Sequence, residues 1–560
     1  MTIRQRWLTA TLLSTTAVVL TACGGGGTDA PAATGTTAIT AVEPGQRRFP
    51  DVNVPGPFPL AEPITVSVMG PHAGAAEWED MPLWHAMTEA TNIHFTFITP
   101  PQNDILQHVN LAFAAGNTAD VLFGLGLTPL QQIEHGSVGT LIPLQDYIAQ
   151  YAPNLTRLLA EHPHIRNSIT APDGNIYSIP AITLSFDGIW PVGPVYYNGL
   201  WMDVLGAEVP TTLDEFTALM FRFRDEMPAI LGVDEVWPIS ATHEMLWLRH
   251  WMVSFFGMSG RGIEATDGVV VHNATTDAYR AWTEWMHMLM SERIIHPEIY
   301  TLSNDHHDAL GRANLVGFFQ NWHSYGFLGT DQEQALRNPM LRPIISEWSP
   351  DGVLPRSPGF STNGALSLTS TAPNPGALIA MFDFFYSDEG ALIADHGPEG
   401  FYWQYDYHAG TGERIRVMGP GMDPEDGLRR GRATPFFGFP GPNVRPVELP
   451  RVFPDRYVAT IERSPFDIFM EEETLATMGV YGKVNMPPTM LLPSEADAIA
   501  LINADLLLEI NMREAQFITG ITPINDQTWA EFQASLENIG VDTFVEVWQT
   551  AHDRWLAAAN

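Results

Sequence analysis

Histidine and acidic residues stand close together at His243 and Glu244, but their spacing does not meet the requirement of a zinc protease. In the His-Glu-x-x-His motif the second histidine comes four residues after the first, and Trp247 occupies that position here. The sequence also lacks the Gly-x-Ser-x-Gly nucleophile motif and the Gly-x-x-x-x-Gly-Lys phosphate-binding loop. These observations predict that the chain is not an enzyme.

Two further groups of residues are compatible with a metal site or with glycoside hydrolysis, but neither group specifies such a site. His306, His307 and Asp308 are compatible with a metal site, although a solvated loop or the start of a helix explains them more simply. Glycoside hydrolysis needs two carboxylates that face each other across a cleft, and 64 acidic residues supply many candidate pairs without singling out one. We therefore predict no metal and no cofactor, and a carbohydrate-active hydrolase stays the alternative from another functional class.

The aromatic residues fit a different chemistry, the binding of sugars. A sugar ring has an apolar face of C–H groups and a rim of hydroxyls, so its site needs flat aromatic side chains and forked polar groups. The chain has sixteen tryptophans. Trp78 follows the first predicted strand, and Trp247 lies with Arg249 in an aromatic segment, where Arg249 is suited to clamp two hydroxyls or a uronate carboxylate. The competing interpretations are that each tryptophan belongs to the core and that Arg249 pairs with an acidic residue.

The charge of the chain excludes two classes of partner. The formal net charge is -36. Nucleic acids and anionic membrane surfaces bind basic faces, because such faces release the counterions of the polyanion. We therefore predict that the chain does not bind nucleic acid.

The amino terminus has the pattern of an export signal. Arg4 and Arg6 precede the uncharged stretch 8–20, which is too short to span a bilayer. The run Leu20-Thr21-Ala22-Cys23 resembles a bacterial lipobox, in which the cysteine is lipidated after cleavage, and Cys23 is the only cysteine of the chain. Residues 1–22 are thus predicted to be a lipoprotein signal peptide, and residues 23–62 a lipid anchor and flexible linker. An ordinary secretory signal is the alternative.

Behind the linker, short β-rich runs alternate with helical segments. The pattern predicts strands at 64–70, 92–99, 120–123 and 315–319, and helices at 81–90, 103–115, 212–227, 278–290, 376–394 and 494–518. Such alternation indicates α/β lobes with largely parallel sheets, and about 500 residues are too many for one core. Ligands of such sheets bind at the carboxyl ends of the strands. In the first lobe those ends are the loops 70–78 and 124–128.

Five segments resemble the extracellular solute-binding lipoproteins of bacterial ABC importers, in particular the large oligosaccharide-binding type. The segments are Ala115-Gly116-Asn117-Thr118-Ala119-Asp120-Val121, Asp173-Gly174-Asn175-Ile176-Tyr177-Ser178-Ile179-Pro180, the run from Tyr196 to Phe216, Phe382 to Gly400, and Phe517-Ile518-Thr519-Gly520 with the tail 547–553. Their order covers nearly all of the chain after residue 63. The family's Asp-Trp-Leu run near Leu200 is replaced here by Gly199-Leu200-Trp201-Met202.

The resemblance implies a two-lobed periplasmic-binding-protein-like fold of type II, with a ligand cleft between lobes that are joined by crossing segments. It divides the chain into a discontinuous lobe I (63–185 and about 357–400) and lobe II (186–356 and about 401–560). It also implies site residues. Trp322, at a strand-end turn, is the foremost candidate, and the others are Trp190, Trp403 and Asn363. Gly359 and Gly364 are predicted to form the hinge.

These expectations combine into one functional hypothesis. The chain is predicted to be an exported monomer, lipid-anchored on the outer side of the cytoplasmic membrane, at the cell surface or in the periplasm. It captures a carbohydrate, foremost an oligosaccharide, and delivers it to the permease subunits of an ABC transporter. A binding protein for a non-sugar solute, such as a peptide or a polyol, is the alternative within the same class.

Overall fold

The computed structural model describes residues 48–49, 52–72, 76–242, 246–400, 403–405, 414–416, 441–445 and 465–559. All of them lie in one compact unit that spans residues 37–560. Cys23, the predicted signal peptide and most of the predicted linker lie outside the described residues. No helix in the described part of the chain combines the length and the apolar character that crossing a membrane requires.

The described strands are mostly short. They are β1 (Ile64–Met69), β2 (Ile93–Ile98), β3 (Val121–Phe123), β4 (Ile179–Thr183), β5 (Val195–Tyr197), β6 (Trp237–Ile239), β7 (Ile263–Thr266), β8 (Val269–His272), β9 (Val316–Gln320), β10 (Leu354–Pro355), β11 (Phe360–Leu368), β12 (Trp403–Tyr405), β13 (Arg414–Arg416), β14 (Val444–Arg445) and β15 (Gly482–Lys483).

The α-helices surround these strands. They are α1 (Pro82–Thr91), α2 (Ile105–Ala115), α3 (Pro129–Ser137), α4 (Gln145–Tyr151), α5 (Pro153–Glu161), α6 (Pro163–Ile169), α7 (Gly199–Leu205), α8 (Leu213–Leu231), α9 (Leu246–Met252), α10 (Asp277–Ser291), α11 (Asn304–Arg312), α12 (Ser324–Leu328), α13 (Gln332–Ala335), α14 (Pro375–Asp383), α15 (Asp388–His396), α16 (Pro465–Ala476), α17 (Met478–Tyr481), α18 (Pro493–Ile518), α19 (Asp526–Ile539) and α20 (Val541–Ala559). Short 3-10 helices cover Trp78–Asp80, Gln102–Asp104, Phe186–Ile189, Val253–Phe256, Asn273–Thr275 and Phe384–Tyr386.

The first lobe is built on a six-stranded sheet with the order β14-β4-β11-β3-β1-β2. All neighbouring strands are parallel except β11, which runs antiparallel to β3 and β4. One face packs on a large apolar core that includes Trp84 and Phe382. The other face packs on a smaller core around Leu122 and Ile133. Helices thus cover both faces, as the apolar strands of a largely parallel sheet require.

The second lobe has a three-stranded sheet with the order β5-β9-β6, in which β9 is parallel to β6 and antiparallel to β5. Its core is the largest of the molecule and contains Trp201, Phe216 and Trp282. The antiparallel hairpin β7–β8 lies apart from this sheet. Residues of α16 to α20 complete the core of the second lobe, among them Phe466 and Phe517.

The sequence predictions for these elements are confirmed with small shifts of their ends. The strand predicted over 315–319 is β9, and the helix predicted over 494–518 is α18. The helix predicted over 376–394 is divided in two. A 3-10 turn separates α14 from α15, because Ser387 leaves the helical conformation and caps α15 by accepting from the Gly390 amide.

The first lobe begins upstream of the predicted boundary at residue 63. Val52 and Val54 are buried in its core, and the Phe49 amide donates to the Glu89 carboxylate at 3.0 Å. The amide of Leu60 donates to the Thr91 carbonyl at 2.9 Å. The last part of the predicted linker is therefore ordered against α1, because its few apolar residues find a place in the core.

A buried ionic cluster joins the C-terminal helices to the second lobe. Glu514 of α18 is fully buried and accepts from Arg249 of α9, from Arg261 at 2.7 Å and from the Tyr279 hydroxyl of α10 at 2.5 Å. Burial alone would raise the pKa of Glu514, but the charges of Arg249 and Arg261 outweigh that effect and hold the pKa below its ordinary value. The cluster therefore keeps a buried negative charge compensated by two cations.

We predict that Glu514→Ala lowers the free energy of unfolding by about 3–5 kcal/mol, because it leaves two buried guanidinium groups without their carboxylate. Asp526→Ala is the control, since Asp526 pairs with Arg280 while its side chain is 96% exposed, and its loss should cost at most about 1 kcal/mol. Thermal unfolding of both variants measures the difference. Equal midpoints for the two variants would contradict the importance of the cluster.

A buried histidine makes the stability of the second lobe depend on pH. His307 of α11 contacts the Ser240 hydroxyl through Nδ1 at 3.1 Å, and burial, with a smaller effect of His296, lowers its pKa to about 4. The unfolded chain binds that proton near the ordinary pKa of 6.5, so it holds more protons than the folded chain between pH 6.5 and 4. Stability is therefore lost as the pH falls through this window.

We predict that His307→Asn flattens the decrease of the thermal midpoint between pH 6.5 and 4.5, because asparagine can keep a polar contact with Ser240 but does not titrate. His250 and His272, whose pKa burial also lowers to about 4, would keep part of the slope. The control is His306→Asn, which alters an exposed side chain. Its thermal midpoint should depend on pH in the same way as that of the unmodified protein. Parallel profiles for all three proteins would disprove the assignment.

Candidate functional site

The two lobes meet at a pair of crossing segments. The first crossing leaves β4 at Thr183 and enters β5 at Val195, and the return crossing runs from β10 to the start of β11. The Thr183 amide donates to the Gly359 carbonyl, and the Ser357 amide donates to the Ile189 carbonyl, each at 2.8 Å. The crossings therefore lie side by side and form a hydrogen-bonded hinge.

The carboxyl ends of strands in both sheets adjoin this hinge. Thr183 ends β4, and Phe360, the first residue of β11, pairs with Ile182. In the second lobe, Val195 pairs with Gln320, the last residue of β9. Because the first crossing connects these two points, the strand ends that form binding sites in α/β folds face the same region.

Trp322 stands at the end of β9 and contacts the first crossing. Its ring lies 6.2 Å from the ring of Trp190, centroid to centroid, with the planes inclined by 48°. Two contacts hold Trp190 in place. Its indole N–H donates to the Thr474 hydroxyl of α16 at 3.1 Å, and Phe186 packs against its ring edge-on. Trp322 keeps 49% of its surface exposed while Trp190 keeps 8%. The pair thus offers an anchored aromatic surface at the hinge.

Trp247 lies at the start of α9, the helix that follows β6. It is 43% exposed. Since β6 and β9 are adjacent and parallel, the segments that follow them leave the sheet at the same edge. The structure therefore places Trp247 and Trp322 on the carboxyl side of neighbouring strands.

Two other predicted tryptophans belong to the cores. Trp78 is completely buried, donates to the Pro71 carbonyl at 3.1 Å and packs against Trp84, Phe97 and Phe123. Trp403 is 3% exposed and donates to the Gly397 carbonyl at 2.9 Å. Their large apolar surfaces are covered by protein, so neither offers a face to a ligand in this structure.

Arg249 also points away from solvent. It is 2% exposed and pairs with Glu514 in the buried cluster described above. The competing interpretation of this arginine, a partner for an acidic residue, is therefore the arrangement that the structure has. A cation neutralised in this way is not available to clamp a uronate.

The two predicted hinge glycines are Gly359, in the return crossing, and Gly364, within β11. Gly359 has φ +81°, and a Cβ there would lie 3.2 Å from the Thr183 carbonyl oxygen. Gly364 has φ +55°, and its Cβ would lie 3.0 Å from the Leu127 amide nitrogen. Both positions need glycine for conformation and for space. The β11–β4 pairing is irregular between Ser361 and Leu366, which places Asn363 in the irregular stretch.

Sequence reasoning missed a charged group at the same hinge. Arg445, the last residue of β14, lies 3.2 Å from the Asp395 carboxylate and 3.8 Å from that of Asp187 in the first crossing. The charge of Asp395 is the main reason that the pKa of Arg445 is raised. No local sequence pattern indicates this contact, because the three residues lie far apart in the chain.

The structure offers no accessible nucleophile–base pair at Ser240, the residue that follows β6. Its hydroxyl contacts His307, but Ser240 is fully buried and His307 is 7% exposed. The start of α11 contains His306, His307 and Asp308, as the simpler interpretation predicted. Among the residues that the structure describes, no group of three or more His, Cys, Asp or Glu side chains is placed to hold a metal ion.

Comparison with known proteins gives end-to-end similarity to one characterised transport protein. The chain is 22% identical over 573 residues to FusA, a fructooligosaccharide ABC transporter substrate-binding protein of Streptococcus pneumoniae, with 98% of each chain covered. No family model matches the sequence. FusA is a substrate-binding protein rather than an enzyme, which agrees with the prediction made from the missing catalytic motifs.

Solved structures show the same fold. FusA of S. pneumoniae in complex with kestose superposes with a TM-score of 0.67 at 20% identity, covering 88% of this chain and 99% of that one. An HMO-binding, ABC-transporter-associated solute-binding protein of Bifidobacterium longum infantis gives a TM-score of 0.66 at 20% identity, with 88% of this chain and 99% of that one covered. The alginate-binding protein AlgQ2 gives 0.66 at 20% identity, with 88% and 98% covered.

The EF-hand motif is a point of comparison with FusA. One FusA structure is that of an EF-hand mutant. The EF-hand pattern Asp-x-[Asp/Asn]-x-[Asp/Asn]-Gly-x5-Glu does not occur in the present sequence. Its residues therefore do not fit such a loop.

The resemblance inferred from the five sequence segments is thus confirmed along the whole chain. The chain has the two-lobed fold of ABC-transporter substrate-binding proteins and is similar to one of them from end to end.

Proposed function

We propose that this protein captures an oligosaccharide outside the cytoplasmic membrane and delivers it to the permease of an ABC transporter. The observation that carries the proposal is the exposed Trp322, which follows β9 and contacts Trp190 of the first crossing, while the exposed Trp247 follows the neighbouring parallel strand β6. The similarity to FusA, a fructooligosaccharide-binding protein, supports the same ligand class. Binding proteins for oligosaccharides and alginate share the fold.

The physical basis is the fit between an indole and a sugar. An indole face covers the C–H face of a pyranose or furanose ring, while hydroxyls at the rim bind polar groups. Trp322 is the primary platform and Trp190 supports it from the hinge side. Trp247 would contact a second sugar unit, and Asn363 stays a candidate polar contact. Trp78, Trp403 and Arg249 are left out of the proposed site because they are buried.

Binding is coupled to closure of the two lobes. A ligand that contacts both lobes stabilises the closed form by its differential affinity for that form. The crossings would bend at Gly359 and Gly364, whose positive φ angles already lie outside the range that other residues favour. The closed complex would then dock on the permease, and one chain supplies both lobes, so a monomer is sufficient.

We predict that Trp322→Ala weakens binding by about tenfold or more, because the stacked sugar loses its main apolar contact, whereas Trp322→Phe keeps most of the affinity. Thermal shift and calorimetry with fructo-, manno- and gluco-oligosaccharides and with peptides and polyols measure the effect. A ligand at about 100 times its Kd adds about 2.7 kcal/mol to the folded state. Binding of peptides alone, or cleavage of the sugar by highly purified protein, would refute the proposal.

The lipid anchor at Cys23 is part of the proposal. We predict that Cys23→Ser moves the protein from the membrane fraction to the soluble fraction of the expressing cell, because the serine hydroxyl does not accept the diacylglyceryl group. Ser14→Ala, within the uncharged stretch of the signal, is the control and should leave the protein on the membrane. Unmodified protein in the soluble fraction would indicate an ordinary secretory signal, and Cys23→Ser that stays on the membrane would show that attachment does not depend on lipidation of Cys23.

A further inference from the structure

Arg356 is an uncompensated cation at the hinge. It lies in the return crossing, where its amide donates to the Lys483 carbonyl at 3.0 Å, and its side-chain stem packs against Gly482. The neighbouring arginines are paired, Arg342 with Glu473 and Arg445 with Asp395. Arg356 is half-buried and has no ion-pair partner among the described residues. An unpaired guanidinium is unusual at such a position, because burial of a charge is unfavourable without a partner.

A histidine pair lies near Arg356 on the side of the first lobe. The His164 ring lies 5.9 Å from that of His162 and 5.7 Å from that of Phe360. Burial, then the charges of His162 and Arg356, lower the pKa of His164, and no carboxylate of the described residues is among the groups that act on it. The lowered pKa keeps His164 neutral at neutral pH, where its ring can donate an N–H to an anion while Arg356 carries the positive charge.

The group lies beside the proposed ligand site. Phe360 is the first residue of β11 and pairs with Ile182 at the carboxyl end of β4. Arg356 precedes it by four residues in the same crossing. Arg356 and His164 are therefore near the carboxyl edge of the first sheet, at the hinge whose first crossing carries Trp190, which contacts Trp322.

We propose that Arg356 and His164 form an anion subsite of the ligand cleft, and that this subsite binds the carboxylate of an acidic saccharide such as a uronate. The inference rests on the proposed function and narrows its ligand class. A guanidinium offers two parallel N–H groups that match a carboxylate, and the Phe360 ring supplies an apolar surface beside them. The ligand carboxylate takes the place of the protein carboxylate that Arg356 lacks.

Titration calorimetry on the full mature chain with two forms of one sugar tests the proposal. The probes are trimers of galacturonate and of mannuronate, each as free acid and as methyl ester, together with the neutral oligosaccharides named above. We expect at least one free acid to bind about tenfold or more tighter than its ester. The preference should shrink when salt rises from 0.05 to about 0.5 M, because salt screens charge pairs.

Two variants of equal charge change locate the effect. Arg356→Gln should abolish the preference for the acid and leave the affinity for the ester within about threefold. Arg337→Gln removes an exposed arginine of the second lobe and should keep the preference. Equal affinity for acid and ester, tighter binding of neutral sugars, or an acid preference that survives Arg356→Gln would overturn the subsite while leaving the proposed function intact. No binding of any saccharide would overturn the proposed function itself.

Discussion

Two backbone hydrogen bonds hold the crossing segments side by side at the point where the lobes join. The contacts of Thr183 with Gly359 and of Ser357 with Ile189 fix where the lobes meet. Because the first crossing starts at the carboxyl end of β4 and ends opposite the last residue of β9, both sheets direct their strand ends to one region. Side chains that are far apart in sequence are thereby brought to one region of the molecule.

At the hinge, some side chains are held by several contacts, whereas two glycines have backbone conformations that other residues rarely adopt. Trp190 is held by Thr474 and Phe186, and Arg445 connects the first crossing to α15 through Asp187 and Asp395. Gly359 and Gly364 provide backbone conformations that side-chain-bearing residues rarely adopt. In the proposed closure of the lobes, the aromatic surface stays in place while the backbone at the glycines turns.

The acidic composition makes the arrangement of the cations informative. Glu514 forms ion pairs with Arg249 and Arg261 inside the second lobe. Glu264 pairs with Lys483, the only lysine of the chain. These pairs serve packing, since a buried cation requires a partner. Arg356 has no such partner among the residues described, which is why it stands out as a candidate for ligand recognition rather than for stability.

Apolar periodicity and end signals are local properties of the chain, and they predicted the α/β class and the main helices and strands. The type of binding protein was indicated by the resemblance of five segments to a known family. It also indicated Trp322, whose position at a strand end follows from local order. Only the tertiary structure separated Trp322 from Trp78 and Trp403, since burial depends on which distant residues cover a side chain. The same reason applies to Arg249 and Arg356. Both are arginines, and only the tertiary structure shows that Arg249 is paired with Glu514 and is therefore unavailable to a ligand.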